Sequence, residues 1–134
     1  PMVIKEGRLE SMLPADLVIP MVAPEDLGRA AARLLTGPRG ASGIHYVEGP
    51  ERYSTNDVAA AFSAAIGKPV AVEVIPRDRW EAKYRELGFS EAAAASYARM
   101  TAVSVDGGFE RPTASERGTI RLQDYIEGLV RRAS

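Results

Sequence analysis

The sequence predicts an α/β protein: a small βαβ-containing lobe with a short parallel sheet and about five helices. Three observations lead there. A β-favouring run from Ile44 to Glu48, a helical stretch from Ser54 to Ile66 and an alternating run from Val70 to Ile75 follow one another. Strand, helix and strand within about thirty residues is the βαβ unit. Apolar residues recur with helical spacing in four further segments. The chain has 134 residues, which fits a single domain over 1–134 and leaves no room for a second.

The elements follow in order. Pro1 to Ala23 carries Pro1, Gly7, Pro14 and Pro20, and reads as an irregular lead-in ending in a short strand within the apolar run Leu17 to Val22. At Pro24 a helix begins, with proline in its first turn beside Glu25 and Asp26, where the helix dipole favours negative charge. Leu27, Ala30, Ala31, Leu34 and Leu35 build one stripe expected to be buried, and Arg33 and Gly37 close the helix. Gly43 and the Gly49-Pro50 pair bound the strand Ile44 to Glu48. Ser54-Thr55-Asn56-Asp57 has the form of a capping box with Asp in the Glu place, and Val58, Ala61, Phe62, Ala65 and Ile66 share one face up to Gly67. Val70 to Ile75 alternates and stops at Pro76.

Asp78 and Glu81 start the next helix, with Trp80, Tyr84 and Leu87 on one side and Gly88 at its end. Phe89 and Ser90 begin another, with Ala93, Tyr97 and Met100 on a common side. The run Ala92 to Ala95 has no bulk, so a neighbour packs close to it. Asp106, Gly107, Gly108, Pro112 and Gly118 mark a long polar connection. Leu122, Tyr125, Ile126, Leu129 and Val130 then form the stripe of a final helix.

Composition narrows the function. Lys+Arg 17 against Asp+Glu 18 leaves a net charge of -1, too little positive charge to neutralise a phosphate backbone, so nucleic acid is excluded as a partner. With Cys 0 and His 1, disulfides, zinc-thiolate sites and thiol nucleophiles are excluded. Neither a membrane-spanning run nor a basic-then-apolar leader is legible, so the expectation is a cytoplasmic protein with no membrane partner.

Motifs with chemical content are few. Gly37, Gly40 and Gly43 have the spacing of a dinucleotide loop, but a pyrophosphate cradle needs a strand before the loop and a helix after it. Here the order is reversed, and an ordinary helix-to-strand loop is expected. Tyr46, Tyr53, Tyr84, Tyr97 and Tyr125 all lack a lysine four residues on, so the Tyr-x-x-x-Lys proton-transfer pair is missing. His45 has no triad partner by spacing and reads as a packed or surface residue. Arg77 and Arg79 flank a helix start and read as a solvated face before an anion site. Trp80, Tyr84, Tyr97 and Met100 either line an apolar ligand pocket between two helices or belong to the core.

Three segments together resemble a known family: Met21-Val22-Ala23-Pro24-Glu25-Asp26-Leu27-Gly28-Arg29-Ala30-Ala31, Tyr46-Val47-Glu48-Gly49-Pro50-Glu51-Arg52-Tyr53-Ser54 with Asp57-Val58-Ala59, and Gly67-Lys68-Pro69-Val70. In this order they resemble the C-terminal half of NmrA-like proteins, atypical short-chain dehydrogenase/reductase relatives with an NAD(P)-binding Rossmann domain. The resemblance spans Leu13 to Val130. It implies that this chain corresponds to the C-terminal part of an extended Rossmann protein, with Ile44 to Glu48 as the last Rossmann strand. The glycine-rich loop and the first five strands would lie upstream of Pro1. NAD(P)H is thus implied for full-length members and no cofactor is expected in this chain.

The same resemblance places the segment Ile19 to Ala23 and the helices from Arg79 to Thr101 beside the substrate cleft. The substrate-binding set is then Met21, Trp80, Tyr84, Tyr97 and Met100, with no catalytic and no metal-binding residue. The expected function is a truncated or stand-alone substrate-binding lobe, non-catalytic by itself, with a small apolar or quinone-like ligand. The alternatives are a piece of an NAD(P)H-dependent reductase whose Rossmann half is supplied elsewhere, and a regulatory protein-interaction module. A homodimer is expected, through the sheet edge at Ile44 to Glu48 or the helices Pro24 to Thr36 and Ser54 to Ile66.

Overall fold

The computed structural model describes residues 2–38, 42–108 and 112–133. It is a mixed α/β lobe whose strands form short two-stranded pairs.

A short helix α1 (Met2–Glu6) buries Val3 and ends at Gly7. The Gly7 amide bonds the Val3 carbonyl at 3.1 Å, and its φ of 68° lies where only glycine is unstrained. Strand β1 (Arg8–Ser11) pairs in parallel with β5 (Ala71–Val74), Leu9 opposite Val72. Both elements lie where an irregular lead-in is expected. The reason is physical: with one apolar residue, Arg8-Leu9-Glu10-Ser11 carries no readable period, and its partner strand makes it a strand.

The short strand that ends the lead-in is β2 (Ile19–Pro20), antiparallel to β4 (Arg52–Tyr53). Of the expected strand Ile44 to Glu48 only its last two residues form β3 (Val47–Glu48), and Ile44 is 78 % exposed. Strand β3 does not join β5. It pairs in parallel with β6 (Glu116–Arg117), which arises inside the polar connection. The expected βαβ unit is therefore not formed: its two strands lie in different pairs, and the parallel partner of β5 is β1, with the helices Pro24–Thr36 and Thr55–Ile66 both in the connection. Glu48 explains β3: its buried carboxylate sits 3.0 Å from Arg117 and 3.4 Å from Arg52, so an ion cluster on both flanks ties the turn to β6.

Helix α2 (Pro24–Thr36) matches its expected bounds. Helix α3 (Thr55–Ile66) starts at the expected capping box and ends at Gly67 in the left-handed region. A 3-10 turn over Arg77–Arg79 leads into α4 (Trp80–Glu86), and α5 (Glu91–Val105) is capped by the Ser90 side chain. The last helix, α6 (Leu122–Ala133), lies on α3, while α5 lies on α4.

Small residues dominate the core: Ala30, Ala59, Ala61, Ala94 and Ala98 are buried, with Trp80 and Ile126 as the large members. Ala94, in the run that lacks bulk, is 1 % exposed, as close packing against a neighbour requires. Asp26 is the buried polar anchor. Its carboxylate accepts the amides of Thr119 and Ile120, each at 2.8 Å, and the Arg29 guanidinium at 2.9 Å. Glycine is needed at 118, where a Cβ would lie 2.5 Å from that carboxylate.

Candidate functional site

The angle between the β2–β4 pair and the packed helices α3 and α6 holds a cavity of about 250 Å³. Helical periodicity builds two of its walls. Val58 and Phe62 come from one face of α3, and Leu122, Tyr125 and Leu129 from the facing stripe of α6. Met21 and Tyr53 close it from the strand side. The two stripes face each other without filling the space, because the closest-packed positions of α3 are Ala59 and Ala61.

Tyr53 supplies the polar handle. Its hydroxyl donates to a Glu51 carboxylate oxygen at 2.9 Å and accepts the Leu122 amide at 3.4 Å. Burial pushes its pKa above the ordinary tyrosine value, with the Glu51 carboxylate adding to the rise. It is thus a hydrogen-bonding group held in its neutral form.

The residues expected to bind substrate divide between two places. Met21 lines this cavity, and Trp80, Tyr84, Tyr97 and Met100 belong to the α4–α5 hairpin. Trp80 is buried, donates from its indole nitrogen to the Ile75 carbonyl at 2.9 Å and carries the Arg77 guanidinium over its ring at 5.2 Å. Tyr84, Phe89 and Tyr97 form a cluster of edge-on and tilted rings 4.7–5.5 Å apart. The Tyr84 hydroxyl meets the Thr101 hydroxyl at 2.8 Å. Met100 lies outward, 57 % exposed.

Of the other residues singled out, His45 is exposed, and Arg77 pairs with Asp106 at 2.6 Å. Gly40, in the middle of the glycine spacing, lies outside the described residues. Helix α2 precedes that loop and β3 follows it, so the strand-loop-helix order of a pyrophosphate cradle is not met there. Among the described residues no group of three or more His, Asp or Glu side chains gathers to hold a metal ion.

Tyr53, Phe62, Leu122 and Leu129 are among the cavity residues that sequence reasoning did not single out as a site. Three of them had a signal, since Phe62, Leu122 and Leu129 sit in the helical stripes, but a stripe does not say whether its partner fills the space. Tyr53 gave none.

No known protein-family profile matches the chain. It is similar to agroclavine dehydrogenase of Claviceps fusiformis, 29% identical over 98 residues, which cover 73% of this chain and 34% of the relative. The matched region thus spans about a third of that protein's length. The likeness relates the chain to an oxidoreductase. No helix among the described residues is long and apolar enough to cross a membrane.

Proposed function

We propose that the chain is the substrate-side lobe of an NmrA-like oxidoreductase, non-catalytic by itself, and that it holds a small apolar or quinone-like molecule between α3 and α6. The observation that carries this reading is the apolar cavity of about 250 Å³ with the Tyr53 hydroxyl on its strand-side wall. Such a lining takes up a flat hydrophobic body, and the Tyr53 hydroxyl orients it through a hydrogen bond. Tyr53 donates at present to Glu51, an exposed residue that water can satisfy, so the hydroxyl can turn to a ligand carbonyl at small cost. The similarity to a dehydrogenase and the NmrA-like motifs support the oxidoreductase context.

The test is a titration with 1,4-naphthoquinone, followed through the methyl signal of Met21. The expected result is a saturable shift that Leu129→Trp, which fills the cavity, removes. A Met21 signal that ignores the quinone would overturn the reading.

A second reading, that this lobe completes a reductase whose cofactor half is supplied elsewhere, is favoured by one observation. Leu27 and Leu35 on α2 are 50% and 86% exposed, and Ile44 beyond them is 78% exposed. Large apolar side chains this exposed gain burial under a partner. Mixing the chain with the cofactor half and measuring co-elution tests it.

A further inference from the structure

The face that α6 turns to the first cavity does not end there. Leu122, Tyr125 and Leu129 line that cavity, and one turn further on Arg132 and Ala133 line a second, of about 360 Å³. Helical spacing puts these five residues on one side of α6, so a single face runs through both cavities. From Leu122 to Ala133 that face is about 16 Å long at a helical rise of about 1.5 Å per residue, more than a two-ring molecule spans.

Phe62 and Leu129 wall both cavities. They are half-buried, whereas the tightly packed positions beside them are Ala59, Ala61 and Ile126. The two side chains form a partition that a change of rotamer opens, and beyond it Ile4 of α1 supplies the wall. Volume decides what fits. Sites that enclose a drug-sized ligand hold roughly 300–1,000 Å³, a range that the first cavity at about 250 Å³ does not reach and the two joined do. Chemistry narrows it further. Ile4, Phe62, Leu129 and Ala133 offer burial and no side-chain hydrogen bond, and the exposed Arg132 covers the rim with its stem while its guanidinium stays in water. Such a lining suits a hydrocarbon chain and not a second polar ring.

We propose that the ligand of the α3–α6 cavity carries an alkyl or isoprenoid chain, which passes Phe62 and Leu129 and lies in the second cavity against Ile4 and Ala133. This rests on the reading of the first cavity as the seat of a quinone-like ring, and it adds the class of molecule: a ring at Tyr53 with a tail toward α1.

The probes are 1,4-naphthoquinone and its 2-methyl, 2-butyl and 2-octyl derivatives. Each is titrated while two methyl signals are followed, Met21 in the first cavity and Met100 on α5 as a reference. A buried methylene tightens binding about fourfold, so the butyl compound should bind on the order of fiftyfold tighter than the methyl one, with the shift at Met21 and not at Met100. Ile4→Trp and, at the exposed end of α6, Ala133→Trp fill the second cavity from opposite sides. Each should bring the butyl and octyl compounds back to the affinity of the methyl one. Bare 1,4-naphthoquinone should still shift Met21 in both variants, which shows that they are folded. Equal affinity across the series, or a gain with chain length that survives in both variants, overturns the proposal and leaves the quinone reading standing. A Met21 signal that ignores the whole series overturns both.

Discussion

Replacing Ser54 by alanine isolates the device that starts α3. The Ser54 hydroxyl accepts the Asp57 amide at 3.2 Å and donates to an Asp57 carboxylate oxygen at 2.7 Å, while the Ser54 amide reaches that same oxygen at 2.7 Å. Ser54→Ala removes the first two bonds and leaves the third. Loss of a side-chain N-cap costs about 1 kcal/mol, and up to about 2 where the orphaned amide has poor access to water. Ser54 is 6% exposed, so the upper part of that range applies. For a chain of this size each kcal/mol moves the melting midpoint by about 4 °C. Urea unfolding should show a lower midpoint with an unchanged slope, and Ser54→Asn, another good cap, should restore most of it. Coincident midpoints for Ser54→Ala and the unaltered chain would refute the assignment of the cap.

Ile126, 2% exposed between α6 and α3, should lose about 2–5 kcal/mol as Ile126→Ala, a large part of the stability of a domain this size, so the variant should be partly unfolded by circular dichroism at 37 °C. The amide of Ile120 first, then that of Thr119 and the Arg29 charge, hold the Asp26 pKa below the usual carboxylate value of 3.8. A lowered folded pKa stabilises at pH above the unfolded value and is lost as pH falls through the folded one, so Asp26→Asn should flatten the acid limb of the stability curve below about pH 4, and an unchanged limb counts against this anchor. Self-association through the α2 face should give a dimer mass by light scattering at high micromolar concentration, with Leu27→Glu and Leu35→Glu together returning the monomer; a monomer mass for the unaltered chain sinks the idea.

What was legible in the sequence was local. Pro24 in the first turn, the Ser54 capping box and the left-handed Gly67 each fix a helix end through their own backbone, so α2 and α3 begin and end where those residues stand. Strands β1 and β6 were not legible, because Arg8-Leu9-Glu10-Ser11 and Glu116-Arg117 become strands only beside Ala71–Val74 and Val47–Glu48. The pairing of Ile44 to Glu48 with Val70 to Ile75 assumed that neighbours in sequence pair in space, which β1 pre-empts. The same limit applies to the site. Met21 was picked out through its resemblance motif, whereas Tyr53 becomes a cavity residue only when β4 lies beside β2 and α6 closes over it.

The buried stripe expected on α2 is not buried: of Leu27, Ala30, Ala31, Leu34 and Leu35 only Ala30 is, and the face that turns inward is decided by Asp26. The Thr119 and Ile120 amides grip that carboxylate, and Gly118 approaches it too closely to admit a side chain, so the helix cannot roll. With Asp26 fixed inward, a residue four places on returns to within about 40° of it and one nine places on lies about 180° away. Ala30 is accordingly 2% exposed and Leu35 86% exposed, with Leu27, about 100° round, at 50%. A buried ionised carboxylate with its hydrogen bonds broken is far more costly than a leucine in water, and so the polar contact sets the rotation. Fully burying a leucine is worth about 1.5–3 kcal/mol, and this chain leaves two of them largely unburied on one helix. That unrealised burial is the free energy available to whatever covers α2, whether a second copy or the cofactor half of an oxidoreductase. The anchor that holds the loop before α6 therefore also aims this face outward.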